Sequence, residues 1–200
     1  MIKEKTIYID DEHEGFEFMF KPVDDTLTIE ETPDGFEARY LVVDFDPESP
    51  DNFEDNNIIL VNYHRQCWIA SQDITAEVTR NWYAGNADNS SLDGYHVFQV
   101  TSYIHSGVVL YLGNITPEFD HGGWDTSHCG LIAISKAEWP EEAKAKEIAA
   151  GHIKTWNEYL SGDVYGCVKE TYDKEKQPQD NDSVWGYYGF DYAKEELRNI

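Results

Sequence analysis

Alternation of apolar and polar positions governs the first third of the chain. KTIYID, GFEFMF, TLTIEE and FEARYLVVDFD carry a two-residue period, and DDEHEG, PVDD and TPDG between them supply the Pro, Gly and Asp residues that turn a chain. In GFEFMF this places Phe16, Phe18 and Phe20 on one strand face and Glu17 on the other. The pattern predicts an antiparallel meander with one wet face, its acids on that face and in the turns. NIILVNYH is a short apolar run suited to a buried strand, ITAEVTRNWYAG suits a short helix, and NADNSSLDG reads as a loop. YHVFQVTSYIHSGVVLYLG gives two β segments around Ser106 and Gly107. A Gly-rich loop, EFDHGGWDTSHCG, follows, with Trp124 as its expected anchor in the core, and then a strand, LIAIS.

The period then lengthens to that of a helix. Pro140 suits a first turn, Glu141 and Glu142 complement the N-terminal dipole, and Gly162 supplies the stop. Ile148, Ala149, His152, Ile153, Trp156 and Leu160 form its core-facing stripe. DVYGCVKETYD reads as a strand, KEKQPQDND as an exposed linker, and VWGYYGFDYAKEELRNI as a packed aromatic segment ending in a short helix. These elements predict one α+β domain over residues 1–200: an antiparallel sheet, one long helix and a short C-terminal helix.

Charge adds what periodicity cannot. The net charge of −24 accompanies six Trp, thirteen Tyr and nine Phe, so the acidity belongs to the surface of a folded body, since disordered acidic chains are poor in aromatics. Residues 1–60 hold 18 acids against 4 Lys and Arg. Such a surface repels nucleic acid and anionic membranes, and its natural complement is a basic protein. Cys67, Cys129 and Cys167 are odd in number and far apart, which gives no disulfide framework. With no signal-peptide apolar run in MIKEKTIYIDDEHEGFEF and no span of 18 apolar residues, a cytoplasmic setting is expected. Nothing in the sequence fixes an oligomeric state.

The charge is densest in DFDPESPDNFEDNN, residues 44–57, which holds Asp44, Asp46, Glu48, Asp51, Glu54 and Asp55 and no Lys or Arg. As a calcium loop it departs from the EF-hand pattern, because Ser49 and Asp55 stand where that loop needs Gly and a bidentate Glu, which leaves nonspecific attraction of divalent cations. As an extended strand it would set Asp44, Asp46 and Glu48 on one face at roughly 6–7 Å intervals. A row of that kind suits a groove built for nucleic acid, where duplex DNA presents one charge per ~1.7 Å. These six acids, with Asp10, Asp11, Glu12 and Glu14, are the expected partner-binding residues.

Other chemistry is less well supported. His64 and Cys67 form HxxC and could join His121, His128 and Cys129 around zinc, but the second group lacks a paired spacing. Cys129 could serve as a nucleophile with His105 or His128 as base and Asp125 or Asp120 as orienter. No local signature of a Cys hydrolase accompanies them. GxxxxGK[ST] and GxGxxG are both absent and only four Arg are present, so neither nucleotide handling nor a cofactor is expected.

The succession SYIHSGVVLYL, GGWDTSHCGLIAISKAEW, TWNEYLSGDVYGCVKETYD and WGYYGFDYAKEEL resembles a family of acidic proteins, of unassigned activity, carried by bacteriophages and related mobile elements. The resemblance covers about the second half of the chain. Its most distinctive blocks are WD[ST]xxxG and YLxGxVYG, and it requires no thiol at Cys129. It implies a setting rather than an activity. Joined to the charge, it leads to the expectation of an inhibitor of a host defence or DNA-processing complex, analogous in charge alone to antirestriction DNA mimics.

Overall fold

The computed structural model describes residues 8–9, 15–52, 57–85 and 90–200. The chain is α+β, and the strand pairs among these residues are antiparallel. Its internal contacts form two compact units, Met1–Glu48 with Gly162–Ile200, and Ser49–Ser161. The first unit opens with β1 (Tyr8–Ile9), β2 (Glu17–Phe18), β3 (Thr28–Thr32) and β4 (Gly35–Val43). The second holds a 3₁₀ turn at Pro50–Asn52, β5 (Ile58–His64), β6 (Cys67–Ile69), α1 (Ala76–Tyr83), β7 (Tyr95–Ile104), β8 (Val108–Leu112), β9 (Thr126–Ser135) and α2 (Glu142–Ser161). The chain then completes the first unit with β10 (Val164–Tyr172), β11 (Pro178–Tyr188) and α3 (Phe190–Glu196).

In the first unit the sheet order is β3-β4-β10-β11. Alternation along β4 and β10 sends Ala38, Tyr40, Val42, Val168 and Tyr172 to one face, where Phe16 and Phe18 pack on them. The ring of Phe18 meets Tyr40 edge-on at 5.6 Å and that of Phe16 meets Tyr172 at 5.0 Å, geometries that use the ring quadrupole as well as the buried area. Glu17 stays exposed between them. On the opposite face Leu41 and Cys167 are covered by Ala193 and Leu197. Gly35 closes the β3–β4 hairpin against β10, where a Cβ would lie 1.9 Å from the Tyr172 carbonyl oxygen.

The second unit has the order β6-β5-β9-β7-β8 with a helix on each face. Ile58, Leu60, Ile132 and Ile134 meet Ala145, Ala149, Ile153 and Trp156 of α2. Ile59, Val61, Leu131 and Ala133 face Val78 and Trp82 of α1. Alternation through β5 and β9 thus serves two cores, which is why NIILV and LIAI read as unbroken apolar runs. Helix α2 begins two residues beyond Pro140 and stops before Gly162, whose φ of +74° suits glycine.

Four expectations need correction. The strand FEARYLVV ends at Val43, and residues 45–46 bend, so DFDPE does not form an extended row of carboxylates. The Asp46 amide donates to Asp44 Oδ1 at 3.1 Å, a local turn that competes with strand pairing. Residues 126–130, read as loop, are the start of β9, since pairing of Thr126 with Tyr103 and of Gly130 with Asn62 overrides their weak propensity. Residues 178–182, read as linker, pair with β10 as part of the edge strand β11, where polar side chains are suited to an open edge. Finally, Trp124 is 88% exposed. Its loop is held instead by the buried Asp120, which accepts from the Trp124 amide at 3.1 Å and from the Thr126 hydroxyl.

Two groups on α2 give direct tests. Asn157 donates to the carbonyl of Leu110 at 2.9 Å and accepts from its amide at 2.7 Å, satisfying both backbone groups of that residue on edge strand β8. Asn157→Ala is expected to lower unfolding free energy by about 1–3 kcal/mol in urea titration. His152 accepts from the Trp156 indole at 3.1 Å, and burial pushes its imidazole down to about 4. The unfolded chain takes up that proton near pH ~6.5, so stability falls as pH drops from about 6.5 toward 4, by roughly 3 kcal/mol at most. His152→Gln is expected to flatten this part of the stability profile relative to the wild type.

Candidate functional site

The acidic stretch crosses from one unit to the other between Glu48 and Ser49. Asp44 is half-buried, whereas Asp46, Glu48 and Asp51 are exposed. Asp51 lies in the 3₁₀ turn, and partial desolvation raises its carboxyl above the usual range. Glu54 and Asp55 lie outside the described residues, as do Asp10, Asp11, Glu12 and Glu14.

Of the candidate catalytic residues, His105 and Asp125 are brought together. Nδ1 of His105 lies 3.0 Å from Asp125 Oδ2, both groups well exposed, and Tyr103 stacks beside the imidazole. A bulge in β9, between the pairs Val100–Gly130 and Ser102–Ser127, admits one extra residue and places His128 and Cys129 on the same cavity. That cavity, of about 410 Å³, is also lined by Tyr63, Trp68, Arg80 and Tyr83. Nδ1 of His128 turns to the Thr101 hydroxyl at 3.2 Å and the Gln99 amide at 3.4 Å. The Cys129 thiol lies 3.0 Å from the Ser127 hydroxyl and donates to Asn62 Oδ1 at 3.4 Å. Among the described residues, no imidazole is hydrogen-bonded to the thiol, as a general base for it would need to be. No group of three His, Cys, Asp or Glu side chains among those residues is placed to hold a metal ion.

A second concavity, within the first unit, is one that sequence reasoning missed. It has a volume of about 590 Å³ and lies beside the start of the acidic stretch, with Phe20, Val42, Phe45 and Trp185 among its walls. Asp24, Asp44 and Asp46 line it too. Phe45 is 91% exposed. The available signal was the DFD triplet, an aromatic side chain set between two acids. The walls supplied by Phe20 and Trp185 come from distant parts of the chain and left no local trace.

No protein-family profile, curated protein or solved structure matches the chain. Among the described residues, no helix is long and apolar enough to cross a membrane.

The thiols give a further test. Burial pushes Cys67 and Cys167 up to about 11, while Cys129 is only half-buried and borders the cavity. At pH 8 the folded protein is expected to release one equivalent of thionitrobenzoate rapidly from Ellman's reagent, and three after denaturation. Cys129→Ala should abolish the rapid equivalent, and a surviving rapid phase would refute the assignment.

Proposed function

We propose that this chain is a cytoplasmic inhibitor carried by a phage or related mobile element. In this reading it seats an acidic surface in the basic groove of a host protein that binds nucleic acid, within a defence or DNA-processing complex. The observation that carries the reading is uncompensated acidity in the first unit. Asp24, Asp25, Glu30, Glu31, Asp34 and Asp46 are exposed, and none has an ion-pair partner among the described residues. Two of the unit's nine Lys and Arg residues, Arg39 and Lys169, are both taken up by Glu37, at 2.6 and 3.1 Å. Negative charge left open in this way raises the repulsion within the fold, and a basic partner relieves it.

The bend after Val43 changes how the mimicry would work. The acids stand in for phosphate by their density on β3, the turns and the acidic stretch rather than by an even spacing along one strand. Resemblance of the second half of the chain to phage-borne acidic proteins supports the setting.

The reading makes competition the decisive test. Host proteins retained by the immobilised chain after nuclease treatment are expected to be nucleic-acid binders that duplex DNA displaces. Changing Asp44, Asp46, Glu48, Asp51, Glu54 and Asp55 to Asn or Gln should weaken retention at least tenfold and flatten its salt dependence, with the melting temperature equal or higher. A captured protein that binds DNA and this chain together, with the neutralised variant retained as well as the wild type, would refute the reading.

A further inference from the structure

Charge alone makes no use of Phe45. Its ring stands in water between two acids, and single exposed apolar side chains are common enough to need no explanation. Here, however, the ring borders a cavity whose other aromatic walls are built in place. The six-membered ring of Trp185 occupies the space over Gly166, where a Cβ would come within 2.5 Å of it. Its indole N–H donates to Ser183 Oγ at 3.1 Å, and Phe20 meets it edge-on at 5.4 Å. The indole is thereby fixed before any ligand arrives, which lowers the ordering cost of binding.

The polar side chains of the cavity select its occupant. Asp24, Asp44 and Asp46 outnumber the one cation among the lining residues, Lys21. An apolar guest would desolvate carboxylates without pairing them, which is costly. A cation is attracted both by the carboxylates and by the ring faces. Arginine suits the site better than lysine because its guanidinium is planar, weakly hydrated, and able to stack on a ring while bonding a carboxylate. The volume of about 590 Å³ lies in the range of ligand pockets and leaves room for the backbone on either side of such a residue.

We propose that this cavity is the anchor of the acidic surface, receiving an arginine side chain from a basic protein segment, with Phe45 and Trp185 against the guanidinium and Asp44 and Asp46 paired to it. The proposal rests on the acidic-surface reading and names the part of that surface that reads its partner by shape as well as by sign.

The probe is the blocked peptide Gly-Gly-Arg-Gly-Gly beside its citrulline counterpart, which keeps the shape and loses the charge. Binding is followed by NMR through the Trp185 indole N–H, assigned with Trp185→Phe. The arginine peptide is expected to shift that resonance and to bind at least tenfold more tightly than the citrulline peptide. Phe45→Ala, at an exposed position that changes no charge, should weaken binding at least fivefold while the rest of the spectrum stays folded. Asp44→Asn with Asp46→Asn should weaken it at least as much. If neutralisation weakens binding and Phe45→Ala does not, the anchor is refuted while the acidic-surface reading stands. Equal binding of the two peptides, or no shift with either, also refutes the anchor. The DNA competition described above then decides the broader reading independently.

Discussion

The first unit exists because β4 pairs with β10. The register runs without a break from Phe36 opposite Tyr172 to Val43 opposite Tyr165, joining strands that the whole of Ser49–Ser161 separates in sequence. One face of that pair meets the Phe16 and Phe18 rings, and the other meets α3. The same register sets Arg39 directly opposite Lys169, a like-charge pair that would be unfavourable by itself. Glu37 contacts both and turns the repulsion into a three-membered cluster. Gly166, on β10, leaves the space that Trp185 fills from β11. Core, charge cluster and cavity wall therefore share one pairing.

That alternation also places an acid inside. Glu170 falls between Val168 and Tyr172 on the aromatic face and is 4% exposed. Its carboxylate accepts from the Met19 amide at 2.9 Å and from the Tyr172 hydroxyl, fastening the segment around β2 to the sheet. Burial, together with this neighbouring carboxylate, holds the Tyr40 and Tyr172 phenols well above the ordinary tyrosine range, so both remain donors. Removal of Glu170 would leave the Met19 amide without its acceptor and the Tyr172 phenol with only the Glu17 carbonyl at 3.2 Å, a larger loss than any of the exposed acids represents.

The sequence was readable where one element's local pattern and its tertiary role agree. The Phe16 and Phe18 alternation, the buried run at Ile58–Val61 and the stripe through Ala149, Ile153 and Trp156 each occupy the place their period implies. Misreadings came where pairing with a distant strand decides the outcome. The segment Thr126–Gly130 is strand because β7 and β5 hold it, and the polar start of β11 is strand because β10 does. For the candidate site, sequence located the acids and the Cys129 region. It could not show that His128 turns to Thr101, that β4 stops at Val43, or that Phe20 and Trp185 meet beside Phe45. Each of these depends on a bulge, a side-chain cap or a contact far along the chain.

Placement of one unit inside the sequence of the other bears on the order in which the chain folds. In the first unit the Asp44 amide donates to the Val164 carbonyl at 2.8 Å, a closure that spans the whole of the second unit. Were Ser49–Ser161 still unstructured, that contact would have to close a floppy loop of more than a hundred residues. Within the second unit, the turn at Pro50–Asn52 packs against α2, whose last residue ends the unit, so its folding shortens the connection before β4 and β10 meet. If the connection then behaves like one of about ten residues, the closure entropy falls by on the order of 2 kcal/mol. On that closure term, prior folding of the second unit would lower the cost of pairing β4 with β10, and the acidic unit, whose own repulsion opposes collapse, is the one that would gain from it.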